Sequence, residues 1–234
     1  MNLSDKQMPK EQVADGHFWE NEQVLSVTEV NKLIRNTYIL LSMTLLFTTV
    51  TAGIAMLVNM PPMPWYLTLI GYFGLLFLTQ ALRNSVWGLA SIFALTGFMG
   101  LTLGPIINLY LTFLNNGSQV VMMAFGSTAI TFLGLSGYAL TSKKDFSFMG
   151  GFLMTGILVA FLAGIGALVF NLPSLSLGVS AMFVMLMAGL ILYQTSEMVH
   201  GRETNYIMAT ITLYVAIYNM FLSLLQLFGL AGDG

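Results

Sequence analysis

The chain contains no cysteine, which excludes disulfides, thiolate metal sites and cysteine nucleophiles. Charge is almost as scarce: eight Lys and Arg and ten Asp and Glu make only 8% of 234 residues charged, against about 25% in an average soluble domain. What remains is apolar, 56% hydrophobic with 17 Met, 17 Phe and 23 Gly. Such a composition suits helices buried on every side, where Gly is more frequent than in soluble helices. The chain therefore reads as a membrane protein. Its net charge of -2 says little, because in a bilayer the position of charge matters more than its total. A basic segment leading directly into an apolar run, as a secretory signal requires, is missing as well. MNLSDKQMPKEQVADGHFWENEQ is polar and mixed in sign, so the first apolar helix is expected to be retained.

About twenty apolar residues cross the hydrocarbon core. Turn residues divide the chain into seven such runs, at about 37–58, 65–82, 87–114, 119–140, 148–170, 175–198 and 206–230. The first stops at NMPPMP, whose three prolines cannot continue a helix; RNS, NNGS, TSKKD and NLPS separate later runs. Gly104-Pro105 inside the third run predicts a kink or a break. The expected fold is an all-α integral membrane bundle of seven transmembrane helices.

Orientation follows from the basic residues. Lys6, Lys10, Lys32 and Arg35 precede the first run, Arg83 lies between the second and third, Lys143 and Lys144 between the fourth and fifth, and Arg202 between the sixth and seventh. Seven crossings put all of them on one side, which the positive-inside rule makes cytoplasmic. The N-terminus is then cytoplasmic and the C-terminus periplasmic. Residues 1–25 read as a disordered cytoplasmic tail, polar and poor in branched apolar residues. SVTE, in which Ser26 is followed three positions later by Glu29, is a capping box. It predicts that the first helix starts a turn or two before the membrane.

An ionisable group at the centre of a membrane helix costs about 2.5–3.5 kcal/mol even on the lenient scale. None of Asp, Glu, Lys, Arg or His falls well inside any of the seven runs. Paired-aspartate and HExxH proteolysis are thereby excluded, and no catalytic residue, metal or cofactor is expected. The densest charge lies in LYQTSEMVHGRETNYI, residues 192–207. Glu197, His200 and Glu203 at intervals of three resemble part of a di-iron site, but such sites also need carboxylates from other helices. Gly201 is expected to end the helix within the pattern. The stretch therefore reads as a solvated turn.

Gly97, Gly100 and Gly104 in TGFMGLTLGP form a smooth face suited to close helix packing. Alternatively they belong to a broken helix lining a cavity, as in transporters. Asn108, Tyr193, Tyr214, Tyr218 and Asn219 are candidates to line such a cavity, together with Gln194 and Tyr138, or to hydrogen-bond between helices. The basic turn SKKDFSF, residues 142–148, has a topological role and attracts anionic lipid.

GFMGLTLGP, TSKKDFSFMGG, LYQTSEMVHGRETNYI and ATITLYVAIYNMF follow one another in the order and spacing of the Bax inhibitor (TMBIM, LFG) membrane proteins. RNTYILLSMTLLFTTVTA and HGRETNYIMATITLYVAIYN resemble the bacterial, YccA-like branch. The resemblance covers nearly the whole chain from about residue 30. It implies a central helix wrapped by helix pairs. Some members of the family are pH-sensitive calcium leaks whose sensor is a pair of aspartates. Matched onto this sequence, the first falls on Gln194 and the second on Ala216, neither of which can titrate. The YccA-like branch implies instead an inner-membrane protein that binds an FtsH-type membrane protease, is slowly degraded by it through the N-terminal tail, and limits its action on other membrane proteins. A cation leak or transporter without the aspartate sensor stays open as the alternative.

Overall fold

The computed structural model describes residues 26–231. The expectations placed on residues 1–25 lie outside the described residues. Seven helices long and apolar enough to span a membrane follow one another: α1 (Val27–Leu57), α2 (Trp65–Leu82), α3 (Trp87–Phe113), α4 (Gly117–Ser142), α5 (Gly150–Val169, preceded by a single 3-10 turn at Ser147–Met149), α6 (Pro173–Val199) and α7 (Tyr206–Ala231). No strand occurs among the described residues.

The capping box is formed in both directions. The Glu29 backbone N–H donates to Ser26 Oγ at 3.4 Å, and the Ser26 N–H donates to Glu29 Oε2 at 2.9 Å. It starts α1 at Val27, and the helix's 31 residues extend roughly 46 Å, well beyond the roughly 30 Å of a hydrocarbon core. The far end of α1 stops by a different device from the prolines expected to stop it. Asn59 adopts a left-handed conformation (φ 48°), and the Met60 N–H reaches back to the Ala55 carbonyl at 2.9 Å, a Schellman closure complete before the first proline. Asn171 (φ 52°) closes α5 with Leu172 N–H on Ala167 O at 2.9 Å, and Gly201 (φ 70°) closes α6 with Arg202 N–H on Glu197 O at 3.0 Å.

The core lies around α7. Ile207, Leu213, Tyr214, Ala216, Met220 and Leu225 are each almost wholly buried, and α7 packs against α1, α3, α4 and α6. α2 packs on α3 and α5 on α6, away from the centre; in α2 only Thr79 is buried. This is the central helix wrapped by the others. Of the kink or break expected at Gly104-Pro105, the break is not formed: α3 runs as one helix from Trp87 to Phe113 with Pro105 inside it. Proline removes one backbone hydrogen bond, and a membrane helix tolerates that where neighbouring helices hold it. Here the buried glycine face of α3 is held against α1.

The loops that carry the basic residues collect at one end of the bundle, and the α6–α7 turn ties them together. Asn205 Nδ2 donates to the Arg83 carbonyl at 3.1 Å and to Asn84 Oδ1 at 2.9 Å, which fastens the α2–α3 loop. Its Oδ1 accepts from the N–H groups of Ile207 (3.0 Å) and Met208 (3.1 Å), capping α7. Asn205→Ala removes a cap and a loop contact at once. We expect a loss of about 1–2 kcal/mol, read as a lower melting temperature in detergent, with Asn205→Asp keeping the cap and recovering part of it.

Candidate functional site

In the charged turn each side chain is engaged within the chain itself. Arg202 Nη2 lies 2.7 Å from Asp145 Oδ1 and its Nε lies 2.8 Å from Glu197 Oε1, so one guanidinium joins the α4–α5 loop to the end of α6. Ser196 Oγ accepts from the Phe146 N–H at 3.0 Å across the same junction. His200 Nδ1 is held 2.8 Å from the Ser196 carbonyl. Glu203 Oε1 accepts from the N–H groups of Thr204 (2.9 Å) and Asn205 (2.8 Å). With Gly201 turning the chain between them, Glu197, His200 and Glu203 do not share a helical face, and no group of His, Asp or Glu suited to a metal exists among the described residues.

The Ser147 backbone N–H, with the Arg202 guanidinium beside it, holds the Asp145 carboxyl well below the usual carboxylate range. A depressed pKa gives a contribution present above the unfolded value of about 4 and lost only as pH falls through the folded one. The Asp145–Arg202 link therefore stays closed throughout pH 5–8. Asp145→Asn is expected to raise the rate of proteolytic cleavage at 142–149 severalfold, whereas moving wild type from pH 8 to pH 5 leaves that rate, corrected for the protease's own pH dependence, unchanged.

Deeper in the bundle, at the depth of the first turns of α7, lies a neutral polar layer. The Tyr38 hydroxyl bonds Ser136 Oγ, Ser136 Oγ lies 3.5 Å from Thr195 Oγ1, and Thr210 Oγ1 donates to the Thr37 carbonyl at 3.3 Å. Gln194, one step from Thr195, is 5% exposed. Its Nε2 and the Thr37 hydroxyl are buried without a hydrogen-bond partner in the protein. Ala216 is wholly buried in α7. The two positions matched to the family's aspartates are thus interior, and neither carries a carboxylate.

Tyr214 and Tyr218 stack at 6.1 Å and form part of the floor of a cavity of about 770 Å3 between α1 and α4. Their hydroxyls are taken up by neighbours, Tyr214 with Thr48 Oγ1 at 2.8 Å and Tyr218 with Thr102 Oγ1 at 3.2 Å. The other candidates do not join them. Asn108 reaches Asn59 at 3.5 Å, Asn219 donates to the Val215 carbonyl of its own helix at 2.9 Å, and Tyr193 packs beside Gly150. Tyr138 is exposed, with the Lys144 ammonium 5.8 Å from its ring centre.

Gly97, Gly100 and Gly104 face α1. A Cβ on Gly97 would come within 2.7 Å of Phe47, on Gly100 within 2.5 Å of the Thr48 carbonyl, and on Gly104 within 2.5 Å of the Ala52 carbonyl. Gly100 and Gly104 let the two backbones pack closely, and Gly97 makes room for the Phe47 ring. Sequence reasoning passed over Gln226, which accepts from Ser180 Oγ and donates to Ser176 Oγ, both at 2.6 Å, beside a second cavity of about 470 Å3. Its signal was an amide near the end of the last apolar run, which also holds Asn219, with Ser176 and Ser180 near the start of the run before.

A seven-helix membrane bundle with a buried last helix, a glycine face and a neutral interior defines a class of polytopic membrane protein. The model of the family described as inhibitor of apoptosis-promoting Bax1 matches residues 30–233, and the chain belongs to this Bax inhibitor family. It is 52% identical over 212 residues to an uncharacterised protein of Pseudomonas aeruginosa, covering 91% of this chain and 95% of that one. It is 46% identical over 206 residues to the modulator of FtsH protease YccA of Escherichia coli, covering 88% and 93%. To protein lifeguard 4 of mouse it is 32% identical over 202 residues, covering 82% of each.

Proposed function

We propose that this protein binds and modulates an FtsH-type protease of the bacterial inner membrane, without catalysis of its own. The supporting observation is the 46% identity, over nearly the full length of both chains, to a protein named for that role. The charged end of the bundle, where the α6–α7 turn clamps the other loops, faces the cytoplasm on the positive-inside rule. The N-terminal tail, which leads into that end of α1, is the segment by which an ATP-driven protease would enter. Its polar, mixed-sign sequence offers little apolar surface to bury beyond Phe18 and Trp19.

Pulse-chase of the full chain and of a variant lacking residues 2–22, in cells with and without the protease, tests this reading. We expect the deletion to lengthen the lifetime only where the protease is present. An unchanged lifetime removes the tail as the handle, and failure of the protease to co-purify from detergent removes the partnership.

The buried polar layer around Gln194 favours a second reading, a neutral cation leak. Against it, Met187 and Ile191 of α6 and Leu213 and Met220 of α7 are nearly fully buried between that layer and the polar cluster at Gln226. Liposomes carrying the protein that show no cation flux from pH 5 to pH 8 would leave the first reading standing alone.

A further inference from the structure

α1 and α4 flank α7 without packing against one another along most of their length. They meet near the charged end, where the Tyr38 hydroxyl bonds Ser136 and the Tyr38 ring lies 6.2 Å from that of Phe132. From Ser42 to Met56 on α1, and from Leu133 back to Val121 on α4, the space between them is the groove of about 770 Å3, floored by α7 and by Leu103 and Ile107 of α3. It therefore occupies the half of the bundle away from the basic loops, and it opens sideways between two apolar spans.

The hydroxyls on its walls have no donor to spare. Ser42 donates to the Tyr38 carbonyl at 2.8 Å, Thr49 to Leu45 at 2.9 Å and Thr128 to Ala124 at 2.7 Å, and Thr48 is bonded to Thr44, Thr96 and Tyr214. No charged side chain lines it. An occupant needs only hydrocarbon.

Size decides which hydrocarbon. Residues 42–56 of α1 rise roughly 20 Å. Over that length the 770 Å3 gives an average cross-section of roughly 40 Å2. A methylene fills about the space of a water molecule, roughly 30 Å3, so a chain of about sixteen carbons takes roughly 500 Å3. The groove is long and wide enough for one lipid tail. We propose that it holds a single acyl chain of a phospholipid from the leaflet opposite the charged loops. The chain fills the space between α1 and α4 and is walled on three sides, unlike the fluid lipid around the outer helices α2 and α5.

Two wall residues make the site testable. Gly53 on α1 and Gly126 on α4 line the groove, and a Cβ on either meets nothing within 4 Å, so the groove can be filled from the protein side. The full chain and its Gly53→Leu/Gly126→Leu variant are reconstituted in phosphatidylethanolamine–phosphatidylglycerol vesicles, exchanged into detergent and weighed intact by native mass spectrometry. Wild type should retain one phospholipid more than the variant; equal retention, or none on wild type, overturns the proposal. A second measurement needs only wild type. Phosphatidylethanolamine carrying a diazirine in its acyl chain is irradiated after the detergent exchange, and adducts are expected within 42–56 and 121–133. Adducts confined to α2 and α5 overturn it, and so does a variant that loses a co-purifying single-span protein while keeping its lipid.

Discussion

Gly104→Leu is expected to prevent accumulation of the folded protein, and Gly104→Ala to lower its stability by about 2–3 kcal/mol. The reason is the identity of the neighbour. A Cβ at position 104 would sit 2.5 Å from the Ala52 carbonyl oxygen and 2.7 Å from Ala55 Cβ. A flexible side-chain tip could swing away, but a carbonyl inside α1 moves only with its helix. α1 and α3 would have to separate along the glycine face, and they would lose contacts at Gly100 and Gly97 with it. Loss on this scale is a large share of the 5–15 kcal/mol that holds a typical protein folded. Gly53→Ala and Gly134→Ala are the controls, since a Cβ at either meets nothing within 4 Å, and removing a mid-helix glycine should stabilise by roughly 0.5–1 kcal/mol. Thermal unfolding in a single detergent separates the two groups. A Gly104→Ala protein that melts with Gly53→Ala would mean that α1 and α3 are not pressed together as described.

The spans were legible because the bilayer imposes one rule on every segment. Each of the seven runs became a helix, and the boundaries moved mainly where the chain leaves the lipid, as at Val27, which the capping box had already marked. Helix ends were read from right and wrong residues alike: Gly201 closes α6 as expected, but the end of α1 was assigned to prolines. The prolines of NMPP and NLPS were conspicuous, yet Asn59 and Asn171 close α1 and α5, because a left-handed residue completes the last carbonyls before a proline is reached. Pro105 did not break α3. Whether a proline breaks a helix depends on the helix packed beside it, and the run of residues around it does not reveal that neighbour. The same limit explains the cavity residues. Tyr214 and Tyr218 lie four apart in α7 and share a face by period alone, so their pairing could be read directly. Asn108 and Asn219 could not be placed, because an amide satisfies itself as readily on its own helix as across a cavity. The α1–α4 groove was invisible, since it arises where two helices distant in sequence fail to meet.

The interior's neutrality leads to the other large effect, Gln194→Asp. The position is 5% exposed, and the side chains gathered in its layer, Thr37, Ser136, Thr195 and Thr210, are hydroxyls without charge. Burial disfavours the ionised carboxyl, so the new aspartate should hold its proton in the folded protein to a higher pH than in the unfolded chain, which releases it near pH 3.9. The sign follows from proton binding. Between the two pKa values the folded protein holds a proton that the unfolded chain has released, and stability falls as pH rises. Below about pH 4 both states are protonated and the variant should approach wild type. Once the buried carboxyl is ionised the penalty levels off at about 3–5 kcal/mol, the cost of an uncompensated buried charge. For a chain of this size that corresponds to a melting temperature lower by roughly 10 °C, most of it developing between pH 4 and pH 7. Wild type has no carboxyl at 194 or 216 and should show no such slope from this region. Melting curves of both proteins at pH 4, 5.5 and 7 decide the matter. A variant whose loss is the same at all three would place position 194 in contact with water, and the neutral layer would then be a wet one.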